Sequence, residues 1–175
     1  MSRAFIKEND LEHAGIDIPE RPISLEINYV TPNGHNQLKS IQDNLFKKLQ
    51  SYNRDETTNI KQKKLRIERD LRYYSSRIKS AVLIDPSSQN PEIILFSANV
   101  EVQTTDNKKH KFEIVGEDEA DIKENKISYV SPLAKSLIGN KINDEVTWNK
   151  PSGMEILVIT NIYYCGQQNP QSFIN

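Results

Sequence analysis

The chain carries a single cysteine, Cys165, among 175 residues. That excludes a disulfide framework and a thiolate metal cluster. It has only six glycines, and they form no Gly-rich phosphate loop. The three histidines, His13, His35 and His110, lie in three different segments. None has a second His or Cys at ligand spacing, which argues against an intrinsic metal site. Ser and Cys nucleophile motifs are lacking. Each lone histidine therefore reads as a surface residue, no cofactor of its own is implied, and the chain is expected not to be an enzyme by itself. No apolar run approaches the length of a membrane span. The opening residues Met1–Asp10 carry charges where a signal peptide needs an apolar stretch. The expectation is a soluble cytoplasmic protein with no membrane partner. Apolar residues make up 36% of the chain. That is too little for one large core and favours one or two small domains, elongated or partly disordered.

What is present is unevenly charged. The formal net charge of −1 hides −3 over residues 1–30, +7 over 31–82 and −5 over 83–175. A basic middle between acidic flanks points to separate modules with separate jobs.

Residues 1–30 lack helical periodicity and contain Pro19 and Pro22. They read as a mobile arm, and a tail without function fits them equally. Ile23, Leu25, Ile27 and Tyr29 alternate with the period of a short strand, so the last part is a candidate for order. Residues 31–82 read as a helical hairpin. Thr31-Pro32 opens it as N-cap and first helical residue. Apolar residues recur at Leu38, Ile41, Leu45, Leu49 and Tyr52, then at Ile60, Ile67, Leu71, Tyr74 and Ile78. The polar run 54–59 separates the two stripes, which predicts an antiparallel coiled coil. Lys48 and Lys64 fall on seam positions near that link, so the tip should be looser than the base.

The second helix also carries Lys61, Lys63, Lys64, Arg66, Arg69, Arg72, Arg77 and Lys79. A solvated helix face is the plain reading. Attraction to nucleic acid or to an acidic protein channel is the sharper one. Tyr73 beside Arg72 offers a stacking ring, but two residues are a weak RNA-binding signal.

Residues 83–92, with Asp85-Pro86-Ser87-Ser88 and Asn90-Pro91, read as a linker. A β-rich domain is expected over 93–165 and a polar tail over 166–175. The stretch 93–103 alternates in its second half. Thr105–Lys108 turns it, and His110–Val115 returns as its hairpin partner. The acidic loop Gly116–Ile122 leads to a strand at Lys126–Ser128. Ser131 and Pro132 cap a short helix that Gly139 stops. Strands at Glu145–Asn149 and Met154–Tyr164 close the domain. The fold class is α+β: a helical hairpin, then a small antiparallel sheet wrapped on one short helix.

The segments Ile114-Val115-Gly116-Glu117-Asp118-Glu119-Ala120-Asp121-Ile122, Lys126-Ile127-Ser128 and Ser131-Pro132-Leu133-Ala134-Lys135-Ser136-Leu137-Ile138-Gly139 resemble the carboxyl-terminal signature of the bacterial Gre transcript-cleavage factors (GreA, GreB and relatives). The similarity extends over roughly residues 31–164. It implies an FKBP-like carboxyl-terminal domain that docks on the rim of the secondary channel of RNA polymerase, with Ser131, Pro132 and the adjacent Leu133 as the matching contact residues. It also implies that the hairpin enters the channel, near backtracked RNA.

In the family an acidic tip motif helps hold a second magnesium ion at the polymerase active site, where it activates water. That motif is absent here. The tip has Asp55-Glu56 instead, which reads as turn and cap chemistry or as a candidate pair of metal-directing carboxylates sharing the polymerase Mg2+. The family's arms look about ten residues longer each, roughly 15 Å of reach at about 1.5 Å per residue. The expectation is a polymerase-binding regulator of elongation or initiation without strong cleavage stimulation. An active cleavage factor using Asp55 and Glu56 is the alternative. A peptidyl-prolyl isomerase is less favoured, because Trp148 stands alone in the sequence and the phenylalanines are scattered.

Overall fold

The computed structural model describes residues 18–52, 58–150 and 153–167. The first part of the expected arm, the tip acids Asp55 and Glu56, Pro151-Ser152 and most of the expected tail lie outside the described residues. The chain divides into two compact units. One comprises the residues up to Ser24 with Ser40–Ser76, and the other Leu25–Lys39 with Arg77–Asn175.

The second unit is built on a five-stranded sheet. Its strands are β3 (Asn99–Thr104), β4 (Lys109–Val115), β5 (Lys126–Ser128), β6 (Glu145–Lys150) and β7 (Gly153–Tyr163). Their order is β5-β4-β3-β7-β6. In β3 the alternation works as expected: Val100, Val102 and Thr104 are buried while Glu101 and Gln103 are half-buried. The β3–β4 hairpin is closed by the Thr104 hydroxyl, which donates to Asp106 and accepts from the Lys108 amide at 3.0 Å. The sheet is not wholly antiparallel, which corrects the expectation. β5 pairs parallel to β4, Ile114 facing Ile127. The reason is the acidic loop. Residues 116–125 make two 3-10 turns, Glu117–Glu119 and Ile122–Glu124, and carry the chain back so that it runs alongside β4 in the same direction. A tight hairpin would have forced the opposite sense.

The register between β3 and β7 slips after Glu101, which faces Asn161, so that Val102 faces Ile159. Thr160 is the extra residue, and its hydroxyl donates to the Glu101 carbonyl at 3.0 Å. A bulge of this kind bends its strand and increases twist. The core inside the curled sheet contains Val100, Val102, Phe112, Ile114, Leu157, Ile159 and Tyr164. A six-residue helix, Pro132–Leu137, adds Leu133, Ala134 and Leu137 to it. The Ser131 side chain accepts from the Ala134 amide at 3.2 Å, an N-cap with proline at the first helical position. Gly139 follows at φ +91°, a left-handed conformation that glycine adopts without penalty.

The same unit contains β1 (Tyr29–Val30) paired parallel to β2 (Val82–Leu83). The alternation from Ile23 to Tyr29 thus yields two residues of strand, and Ile23, Leu25 and Ile27 are exposed. The unit also holds the first turns of helix α1 (Pro32–Ser51) and the end of helix α2 (Thr58–Lys79), so the short helix is α3. Thr31 caps α1, its hydroxyl oxygen accepting from the Gly34 amide at 2.9 Å.

The first unit consists of the rest of α1 and α2 with the segment before Ser24. Its inward stripe on α1 differs from the expected one. Ile41 is 38% exposed, Lys48 is exposed, and Gln42 is half-buried instead. The run Leu38, Gln42, Leu45, Leu49, Tyr52 keeps strict four-three steps, which apolar residue type alone did not reveal. Gln42 is tolerated there because its amide donates to the Ser75 hydroxyl at 2.8 Å. On α2 the matching positions are Ile60, Lys64, Ile67, Leu71 and Tyr74, with Ile67 and Leu71 buried.

Candidate functional site, an aromatic groove beside a capped helix

The curl of the sheet brings together side chains that neither sequence distance nor strand order places side by side. Phe112 on β4 and Trp148 on β6 are separated by two intervening strands, yet their rings meet edge to face at 5.6 Å. His110 stacks on Phe112 at 6.1 Å and meets Trp148 edge-on at 5.9 Å. The Lys150 ammonium sits 3.9 Å from the centre of the Trp148 ring and pairs with Glu155. Trp148, which stands alone in the sequence, is therefore not isolated in the fold.

These rings line an open groove of about 550 Å³. Ile122, Ile127, Ser131 and Pro132 form part of its wall, and Ile122 is 89% exposed at the rim. A concave, mostly apolar surface with a few polar groups suits recognition of an apolar feature on a ligand or partner. Of the three residues singled out by sequence, Pro132 is exposed and Ser131 half-buried. Leu133 is 7% exposed and belongs to the core, so it fixes the turn while its two neighbours face outward.

The acidic loop beside the groove serves the fold. Arg77, at the end of α2, has a side chain only 2% exposed. Its Nε donates to Asp118 at 2.5 Å and its Nη2 to Glu117 at 3.2 Å. Arg77, which in sequence belongs with the basic residues of the second helix, is instead the buried partner of this turn. Glu119 is buried too, and accepts from the Thr31 hydroxyl at 2.6 Å and the Asn33 amide at 3.2 Å. A Cβ on Gly34 would lie 2.4 Å from the Glu119 carboxylate, and one on Gly116 would lie 2.7 Å from the Tyr29 carbonyl oxygen. Gly116 is therefore demanded by close approach to backbone rather than by backbone angle, while a side chain at Gly34 would displace the Glu119 carboxylate from its hydrogen bonds. The Asn28 amide donates to the Arg77 carbonyl at 2.7 Å and so fixes the end of α2. Among the described residues no group of His, Cys, Asp or Glu side chains is arranged to hold a metal ion.

On α2, Lys61, Lys63 and Arg66 are exposed, while Lys64 and Arg69 are half-buried. Arg69 is committed to Asp70, with bonds of 3.1 and 2.8 Å. The uncommitted positive surface is thus narrower than the residue count suggests. No helix among the described residues is long and apolar enough to cross a membrane.

Residues 89–164 match the family model for the carboxyl-terminal part of transcription elongation factors GreA/GreB. Over 104 residues the chain is 36% identical to transcription elongation factor GreA of Sphingopyxis alaskensis, covering 59% of this chain and 66% of that one. With transcription elongation factor GreB of Neisseria meningitidis serogroup B it shares 33% identity over 157 residues, covering 78% of this chain and 94% of that protein. Among solved structures, GreA factor homolog 1 (Gfh1) of Thermus thermophilus is 22% identical over 79% of this chain and 99% of that one, with a TM-score of 0.39. The two sequence relatives, one matched over nearly its whole length, and the family match over the groove-bearing domain lead to one conclusion: the chain belongs to the GreA/GreB family of transcription elongation factors.

Proposed function

We propose that this protein binds RNA polymerase at the rim of its secondary channel and modulates elongation or initiation there, without strong stimulation of transcript cleavage. The observation that carries this reading is the apolar groove of about 550 Å³ with Ser131 and Pro132 on its wall, within the stretch that matches the family. Pro132 offers an exposed apolar ring and Ser131 a hydroxyl that still has donor capacity after capping α3. We read the β-rich unit as FKBP-like and the long helices as an antiparallel coiled-coil hairpin. The four-three stripes and the Gln42–Ser75 hydrogen bond support that reading.

The two helices hold 20 and 22 residues, about 30 and 33 Å at roughly 1.5 Å per residue. The resemblance implies longer arms in the family, and that implied difference is the ground for proposing that the hairpin stops short of the catalytic metal. A metal–carboxylate bond of about 2.1 Å tolerates no such gap. On this reading the protein is cytoplasmic and has no catalytic residue or cofactor of its own, and any RNA hydrolysis belongs to the polymerase. Lys61, Lys63, Lys64, Arg66 and Arg69 would steer the hairpin toward an acidic channel and any backtracked RNA in it.

Capture of core polymerase by the wild-type protein, lost in Ser131→Glu, is the expected result; equal capture by the variant refutes the docking site. On stalled elongation complexes the expected RNA shortening is slow. Brisk shortening that disappears in Asp55→Ala/Glu56→Ala would establish the alternative, an active cleavage factor whose tip acids share the polymerase Mg2+. The His110–Phe112–Trp148 cluster favours a second reading, peptidyl-prolyl isomerisation, which fold alone does not carry. Catalysed cis–trans exchange of a proline peptide, abolished by Trp148→Ala, would support it.

A further inference from the structure

The segment before Ser24 and the α2 turn from Asp70 to Tyr74 belong to the same compact unit. Pro19 and Pro22 bracket Glu20 and Arg21, and proline restricts both its own φ and the residue before it, which keeps the segment extended. The Glu20 carboxylate accepts from Arg72 Nε at 3.1 Å and Nη2 at 2.5 Å. The Arg21 guanidinium lies 3.7 Å from the centre of the Tyr73 ring and 5.1 Å from that of Tyr74. It also approaches Asp70 at 3.9 Å. The two tyrosine rings meet edge to face at 5.3 Å.

An arginine next to an aromatic ring is a pairing that holds single-stranded nucleic acid, the cation taking a phosphate and the ring a base; here Arg72 is exposed and Tyr73 half-buried. Residues 20 and 21 supply a stand-in for each. A carboxylate occupies the arginine in place of a phosphate, and a planar, delocalised guanidinium covers the ring in place of a base. We propose that the Glu20–Arg21 strap is an autoinhibitory cover over a subsite for single-stranded nucleic acid formed by Arg72 and Tyr73. The cover is built to lift. The Arg72 and Glu20 side chains are 58% and 61% exposed, and ion pairs at that exposure are weak and screened by salt. A cation–π contact at an open site is of similar modest strength.

The inference does not depend on polymerase docking and is tested without polymerase. Binding of a short fluorescein-labelled single-stranded RNA to the full chain is read by anisotropy at low salt, for wild type and for Glu20→Ala/Arg21→Ala. The double substitution removes one charge of each sign, so a gain cannot come from net charge. The expected result is about five- to tenfold tighter binding, the combined weight of one exposed ion pair and one cation–π contact. Adding Arg72→Ala or Tyr73→Ala to the open variant is expected to remove the gain. Equal binding by wild type and the double variant overturns the proposal, as does a gain that survives both further substitutions, or no RNA binding by either form. Should the double variant lose helicity by circular dichroism, Glu20→Gln/Arg21→Gln, which also leaves net charge unchanged, decides the matter by the same readout.

Discussion

Replacing Arg77 by Met should unfold the sheet unit far more readily than its place on a basic helix suggests. The guanidinium is 2% exposed and holds two carboxylates, Glu117 at 23% and Asp118 at 13% exposure. Methionine fills similar volume, so the loss is electrostatic rather than a cavity. Removing one partner of a buried ion pair costs about 3–5 kcal/mol, because the remaining charge stays buried and unpaired. Glu117 can swing partly into water and Asp118 cannot, so the lower end, about 3 kcal/mol, is the expectation. For a domain of this size that corresponds to a drop in Tm of about 12–18 °C. The chain's one tryptophan, Trp148, lies in this unit, so its fluorescence reports the transition without interference from the helices. A second variant isolates the cause. Arg77→Met with Glu117→Gln and Asp118→Asn removes the stranded charges and should recover most of the loss. A drop below about 1 kcal/mol for the single change, the level of an exposed ion pair, or no recovery in the triple variant, would refute the claim that the acidic loop is a clamp around a buried cation.

Gln42→Leu should stabilise the paired helices, because it replaces one exposed hydrogen bond, Gln42 to Ser75, with apolar burial on the same stripe. A gain of about 1 kcal/mol is expected, read as a higher helix melting temperature, and a loss would show that the amide matters more than the stripe. Glu113 provides a pH test. Burial raises its carboxyl above the ordinary value of 4.5, against the opposing pull of the Lys126 charge. A raised carboxyl means that the charged form opposes folding above the folded value, and that the penalty fades as pH falls through the raised value toward the ordinary one. Glu113→Gln should therefore stabilise the protein at neutral pH and lose that advantage in mild acid, measured by urea denaturation across pH. An advantage independent of pH would remove desolvation as its cause.

Local signals in the sequence were sufficient where the physics is local. Thr31-Pro32 and Ser131-Pro132 begin helices because cap and first-turn chemistry needs only a few adjacent residues. Gly139 ends one for the same reason. The acidic loop was visible as a loop but not as a clamp. Arg77 looks in sequence like Arg72 and Lys79, and only the packing of Asp118 against it separates a buried cation from a solvated one. Ile41 illustrates the reverse error: an apolar residue one position off the four-three step is left outside, while a glutamine on the step goes in.

The groove was the least legible feature, and the reason bears on function. His110 and Phe112 share one face of β4, but Trp148 meets them only because the sheet coils far enough to bring β4 toward β6 across two intervening strands. That coil depends in part on the single extra residue, Thr160, in β7. A one-residue bulge has no dependable sequence signature, so no reading of spacing could have placed Trp148 against Phe112. Ser131 and Pro132, by contrast, were legible as a cap, and their second role depends on what the coil puts beside them. A helix start recognisable from sequence becomes the wall of a binding surface because a long-range irregularity supplies the aromatic floor.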